Sequence, residues 1–349
     1  MSKVTEVKQM IRAFAMNAET NGVRIPILLE GHAGIGKSQL TQQVAEELGF
    51  TYVDLRLAEQ EPGDLIGIPR SKDGVTVWDR PSWIPADPNT KLLLALEEVN
   101  RAPEDVRQAI FQALTEYRIH THDLPKVTQI VSLINPSNSV YHVSDLDLAY
   151  ISRHFRMLLD PDVNEWLTYM HEKSGDDRVI QFIGVHNDLL LRPVEGSDPW
   201  PSPRSWKYLS DALKVVTGDS MLSELAGGFV GKESAVAFRR FCDKEYKKPV
   251  TGKEILADYE KVKDKLKEQR NDEMNVTVSD LCNLLASGKA KLNKKQFDNL
   301  KMFLLTVKAE WKVNIIQKLP PTMLTELSTI PELIDAVANI LQQTNKTVK

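Results

Sequence analysis

The chain has 349 residues, 42% of them hydrophobic and 26% charged, with a net charge of −4. That length supports about two or three compact units, and no apolar run reaches the roughly 20 residues of a membrane helix, so a soluble, unexported, cytoplasmic protein is expected. The mild acidity argues against wholesale nucleic-acid binding, while Cys242 and Cys282 are too isolated for a disulfide framework or zinc site.

The opening segment MSKVTEVKQMIRAFAMNAET carries charge throughout, unlike a cleavable leader. RIPILLE then reads as a buried strand, and KSQLTQQVAEELG as a helix closed by Gly49. TYVDLRL, KLLLALEEV and VTQIVSLIN read as further buried strands, and PEDVRQAIFQALTEY as a helix opened by Pro103. Strands alternating with helices predict an α/β fold built on a doubly wound, mostly parallel sheet. From about Pro201 the expected pattern is helical only, in RSWKYLSDALKVVTG, ESAVAFRRFCDKEY, KEILADYEKVKDKLKEQR and KKQFDNLKMFLLTVKAEW. The turn cluster EGSDPWPSP, Glu195 to Pro203, is the expected linker, and KKPVTGKE a weaker boundary. The expected layout is a nucleotide-binding core over 1–200, a helical lid over 201–246 and a helical C-terminal region over 247–349. Mixed signs make EKVKDKLKEQRNDE a solvated helix face.

Between the first strand and its helix, Gly31, Gly36, Lys37 and Ser38 satisfy the phosphate-binding pattern G-x-x-x-x-G-K-[ST] in the context it requires. Glycines let successive N–H groups turn inward toward phosphate oxygens, and the helix start adds the positive end of its dipole. Ala33, Gly34, Ile35 and Gln39 complete the cradle; Lys37 reaches the outer phosphates and the Ser38 hydroxyl holds Mg²⁺. Glu97 and Glu98 end an apolar strand, where a sheet of this class delivers residues to its ligand crevice. One carboxylate is expected to bind Mg²⁺ through water and the other to polarise the attacking water.

EEVNRAP followed by RQAIFQAL resembles the Walker B segment and following helix of MoxR-type AAA+ ATPases, a helix-2-insert clade whose motif is usually written DE-[IV]-N-R-A. EPGDLIGIPR is similar to the segment entering that insert, and KDGVTVWDRP to the second half of its hairpin, turned at Asp73-Gly74. VSLINPSN resembles the sensor 1 strand, LDLAYISRHFRM the arginine-finger segment and SPRSWKYLSDAL the sensor 2 segment opening the lid; GGFVGKESAVAF looks like lid sequence. The likeness runs from about Thr5 to Phe241. It implies an ATP hydrolase acting as a ring, expected to be a hexamer, that remodels or matures a protein complex. It assigns activation of water to Glu98, the γ-phosphate sensor to Asn135, a finger acting in trans to Arg153 and the lid arginine to Arg204. Arg156 competes as the finger, and on a helix the two arginines would share a face. Glu97 stands where the family usually has Asp, one methylene longer in a magnesium shell that tolerates little slack.

Trp78 and Trp83, near the hairpin, are candidates for gripping a partner, with plain packing the commoner role of such rings. His120 and His122 alternate in RIHTHD but lack a third ligand nearby, so a hairpin facing solvent or a pore is preferred to a metal site. SGKAKLNKKQF is the nearest basic cluster, expected to coat a loop and helix start rather than contact DNA. Three readings therefore stay open: a remodelling ATPase with an unidentified protein client or adaptor, a DNA-handling loader or translocase, and an ATP switch that does not turn over.

Overall fold

The structure is a computed structural model that describes residues 2–137, 143–194, 198–216, 218–244, 246, 248–286, 292–319 and 321–333. Residues 195–197 of the expected linker, Asn138 of VSLINPSN and residues 287–291 of the basic cluster lie outside them. The chain divides into two compact units, Met1–Glu165 with Leu190–Trp206, and Trp166–Leu189 with Lys207–Lys349.

The first unit opens with α1 (Val4–Asn21), ended by Gly22 in the left-handed region at φ 68°. Then come β1 (Ile27–Glu30), α2 (Lys37–Leu48), β2 (Thr51–Arg56) and α3 (Pro62–Ile66). A hairpin follows, β3 (Pro69–Lys72) and β4 (Val75–Trp78), then β5 (Lys91–Glu97), α4 (Glu104–Glu116) and the two-residue strands β6 (Arg118–Ile119) and β7 (His122–Asp123). β8 (Val127–Ile134), α5 (Leu148–Ile151) and β9 (Phe155–Leu158) complete it. The main sheet runs β2-β5-β8-β1-β9, every pair parallel.

Alternation along the strands builds two cores, one on each face. Leu28, Leu92, Leu94, Leu96 and Ile130 pack with Val106, Ile110 and Ala113 of α4. Ile27, Leu29, Leu93, Val131 and Leu133 pack with Val7 and Ile11 of α1 and Leu40 and Val44 of α2. Covering both faces explains why β1, β5 and β8 read as largely apolar runs, whereas β2, at the sheet edge, buries only Leu55. The four expected strands are present. The fifth, β9, lies inside the segment resembling a finger motif, and its exposed Phe155, Arg156 and Leu158 hide it from an apolar-run reading.

The second unit is helical. It contains α6 (Val163–Glu172, from Trp166), α7 (Asp177–Val185), α8 (Pro203–Val215, from Lys207), α9 (Leu222–Val230) and α10 (Lys232–Lys244). There Phe182 meets Phe238 and Phe241 edge-on, with centroids 5.3 and 5.5 Å apart. Next come α11 (Gly252–Ala257), α12 (Tyr259–Glu268), α13 (Asn271–Ala286), α14 (Lys294–Thr306), α15 (Ala309–Ile316) and α16 (Pro321–Leu327) around Ile255, Leu281, Leu300, Phe303 and Ile315.

Three expectations are corrected. Among the described residues strands stop at Leu158, not near Pro201, and α6 and α7 intervene. KEILADYEKVKDKLKEQR is two helices, broken where Asp258 adopts an extended backbone, φ −163° and ψ 92°. KKQFDNLKMFLLTVKAEW likewise breaks at Val307 and Lys308, both extended.

Candidate nucleotide site

The loop between β1 and α2 is pinned where three strands end. The Gly31 N–H donates to the Ile134 carbonyl at 3.2 Å, and a side chain at Gly31 would meet the Leu159 carbonyl at 2.9 Å. Gly34 and Gly36 take φ 79° and 95°, which L side chains adopt at a steric penalty. A Cβ on Gly34 would also lie 2.8 Å from the Ser202 hydroxyl. Buried Ile35 anchors the loop from below. Gln39, in the first turn of α2, is exposed, while Ala33 lies half-buried in the loop.

Lys37 points into the cradle. Its Nζ donates to the carbonyls of Gly31 and His32 at 2.6 and 3.0 Å and to Asn135 Oδ1 at 3.0 Å. Burial lowers its pKa from 10.5 to about 8, with Glu97 opposing and Arg204 adding to the shift. Burial disfavours this charge, so an anion placed beside it would be stabilised by restoring the charged form, with phosphate replacing one of these oxygen partners.

Glu97, the last residue of β5, is buried. The Ser38 side chain hydrogen-bonds it; burial nonetheless raises its pKa, and that hydrogen bond opposes the rise. Its Oε1 has no hydrogen-bond partner among the described residues. An orphaned carboxylate oxygen beside a serine hydroxyl is an oxygen donor set of the kind Mg²⁺ takes, so these residues fit the ion. Glu98 has left the strand: it sits at φ 55°, and its carboxylate lies 3.4 Å from Arg101 Nη1, both groups partly exposed.

Asn135 follows β8 and is 5% exposed. Arg204, in the first turn of α8, donates its backbone N–H to the Gly34 carbonyl at 3.0 Å. Its charge is felt at Lys37. Lys37, Ser38, Glu97, Asn135 and Arg204 therefore surround one loop.

Arg153 lies elsewhere. It occupies the turn after α5, with Nη1 donating to the Ala149 carbonyl at 2.6 Å and its guanidinium 4.2 Å from the centre of the Phe111 ring. β9 begins two residues later, with the Phe155 N–H bonded to the Pro26 carbonyl, so Arg153 stands at the end of the sheet opposite Gly31. Arg156 is on β9 itself, its Nε donating to Glu30 at 3.1 Å. The expected shared helical face of the two arginines is thereby corrected: a turn and a strand separate them.

The β3–β4 hairpin turns at Asp73 and Gly74, both at positive φ. Trp78 meets His120 with centroids 4.4 Å apart and the rings tilted by 55°, and Trp83 packs half-buried against the core. His120, at φ 50°, turns the β6–β7 hairpin. Among the described residues no group of three His, Cys, Asp or Glu could hold a metal. Asn100 was given no role from the sequence, although it is the Asn of the EEVNRAP segment, two residues after Glu98.

Residues 26–154, from just before β1 to the turn that carries Arg153, match the family profile of the AAA domain (dynein-related subfamily). The chain is similar to a solved Thermotoga maritima RuvB variant, at 14% identity over 85% of this chain and 94% of that one, TM-score 0.40. It is also similar to a full-length MCM homologue from Methanopyrus kandleri, at 15% identity over 68% and 54%, TM-score 0.33. Curated proteins give no match. The profile match and the sheet together make the first unit an AAA+ P-loop fold. No helix among the described residues is long and apolar enough to cross a membrane.

Proposed function

We propose that the protein is a MoxR-type AAA+ ATPase that assembles head to tail, as a hexameric ring, and couples ATP binding and hydrolysis to remodelling of a protein complex. The observation that carries this reading is the meeting of Lys37, Ser38, Glu97, Asn135 and Arg204 at one loop, with Arg153 at the far end of the same sheet.

Backbone N–H groups of Gly34 to Ser38 and the Lys37 ammonium hold the phosphate chain. Ser38 and Glu97 are the residues that would hold Mg²⁺, which would neutralise phosphate charge there. Glu98, once free of Arg101, orients and polarises the attacking water. Asn135 positions that water and the γ-phosphate, while Arg204 reports nucleotide to the lid through Gly34. Arg153 cannot serve its own site: β1 and β9 run parallel, and the four paired residues Ile27–Glu30 separate their two ends by about 13 Å. Its use is therefore the nucleotide of a neighbouring copy, where a supplied arginine is worth about 10³ to 10⁵ in rate. On this reading the core over 1–200 binds and hydrolyses ATP, the lid over 201–246 responds to the nucleotide, and the C-terminal region over 247–349 either binds a client or adaptor or braces the ring.

The Glu98–Arg101 pair favours one second reading, a slow ATP switch in which the activating carboxylate is drawn toward Arg101. ATP turnover against protein concentration, with mass measured in parallel, separates the two. Specific activity rising with assembly, and lost in Glu98→Gln and Arg153→Ala while ATP still binds, supports the machine. Binding without turnover at any concentration, alone or with DNA, supports the switch; stimulation by DNA that falls steeply with salt would replace both.

A further inference from the structure

We infer that Asn100 is a positioning residue: it fixes Asn135 against Lys37 and ties that sensor to the segment leading to Arg153, an assignment that rests on the ATPase reading above. The ladder of β8 ends in steps, its pairing with β5 at Ser132 and with β1 at Ile134. Asn135 is the first residue beyond both, and its backbone has no strand neighbour there. Asn100 answers it twice, with Nδ2 donating to the Asn135 carbonyl at 2.7 Å and Oδ1 accepting the Asn135 N–H at 3.4 Å. A primary amide is suited to this because it presents a donor and an acceptor side by side. Asn100 is itself 2% exposed.

Asn135 is thereby held with Oδ1 3.0 Å from Lys37 Nζ. On its other side Asn100 accepts the Ser144 N–H at 2.9 Å through its own carbonyl. Ser137 bonds the neighbouring Asp145, and Asp147 caps α5 through the Ala149 N–H at 2.8 Å. Arg153 binds the Ala149 carbonyl. Asn100 therefore stands between the two segments, its side-chain amide holding Asn135 and its main-chain carbonyl holding Ser144. A residue serving only to fill the core would not need the paired amide contacts to Asn135.

The test uses the full chain in four forms beside the wild type: Asn100→Asp, which keeps the shape but faces the Asn135 carbonyl with an oxygen; Asn100→Ser, milder should the first not fold; Asn135→Ala; and Asn100→Asp combined with Asn135→Ala. Affinities for fluorescent ATP and ADP analogues and steady-state turnover are measured for each. ADP affinity is expected to stay near wild type, while turnover and preference for ATP over ADP fall about tenfold or more in Asn100→Asp and less in Asn100→Ser. The double variant is expected to lose no more than Asn135→Ala alone, because both act through one group. An Asn100→Asp protein with wild-type preference and turnover overturns the assignment, as does a double variant a further tenfold below Asn135→Ala. Wild-type protein that never turns over, yet loses its ATP preference in Asn100→Asp, sinks the hydrolysis reading and leaves Asn100 in place.

Discussion

Lys37 makes nucleotide affinity depend on pH in a window unusual for a lysine. Its ammonium is desolvated in the loop and its pKa falls from 10.5 to about 8. The neutral amine cannot hold phosphate charge, so the binding-competent fraction falls as pH rises through 8. Near pH 7.5 about three quarters of the empty sites are charged, and near pH 9.5 about 3%, which weakens nucleotide about 25-fold, or close to 2 kcal/mol. Bound phosphate restores the charge, so binding at the upper end takes up about one proton. Fluorescent nucleotide titrations at the two pH values measure the first quantity, and calorimetry in buffers of different ionisation heat measures the second. Lys37→Arg keeps its charge throughout and is expected to show no such decline. Equal wild-type affinity at both pH values, or the same decline in Lys37→Arg, refutes the reasoning.

Two stability predictions concern the first unit. Gly67 sits at φ 89° and ψ −174°, and a Cβ there would meet the Asp79 carbonyl at 1.9 Å; Gly67→Ala is expected to destabilise by about 2 kcal/mol or more, and a denaturant midpoint equal to wild type would disprove it. His154 bonds the Ser132 hydroxyl at 2.9 Å and the Tyr150 carbonyl at 2.8 Å, and burial pulls its pKa from 6.5 to about 4. Because the unfolded chain takes up this proton first, stability rises with pH across that window, and acidification from 6.5 to 4 removes about 2 to 3 kcal/mol. His154→Gln is expected to flatten that loss, and melting curves of both proteins at pH 4.5 and 6.5 decide it.

What was legible in the sequence follows burial. β1, β5 and β8 lie inside a sheet covered on both faces and show as largely apolar runs, while β2, at one edge, buries only Leu55 and shows by its β-branched and aromatic residues instead. β9 is an edge of four residues carrying Arg156, so its pairing with β1, not its composition, makes it a strand. That strand also moved Arg156 off the helix that local spacing suggested. The phosphate loop was legible because its glycines answer a local backbone demand. The amide clamp on Asn135 was not, because it joins residues 35 positions apart, and a lone Asn after Glu98 looks the same with or without a partner. The breaks at Asp258 and Val307 escaped for the converse reason: charge and apolar period run on unbroken while the backbone turns.

β1 and β9 form one rigid pair, with the phosphate loop hung from one end and Arg153 from the other. On the proposed arrangement such a chain has polarity: each copy receives an arginine at one face and lends its own at the opposite face. Polarity makes damage directional. A copy lacking Arg153 keeps its own active centre and silences the next, whereas a copy lacking Lys37 silences itself and still serves the next. Mixed assemblies of the two variants would recover activity only at junctions of one orientation, which turns the composition of the ring into a reading of its direction.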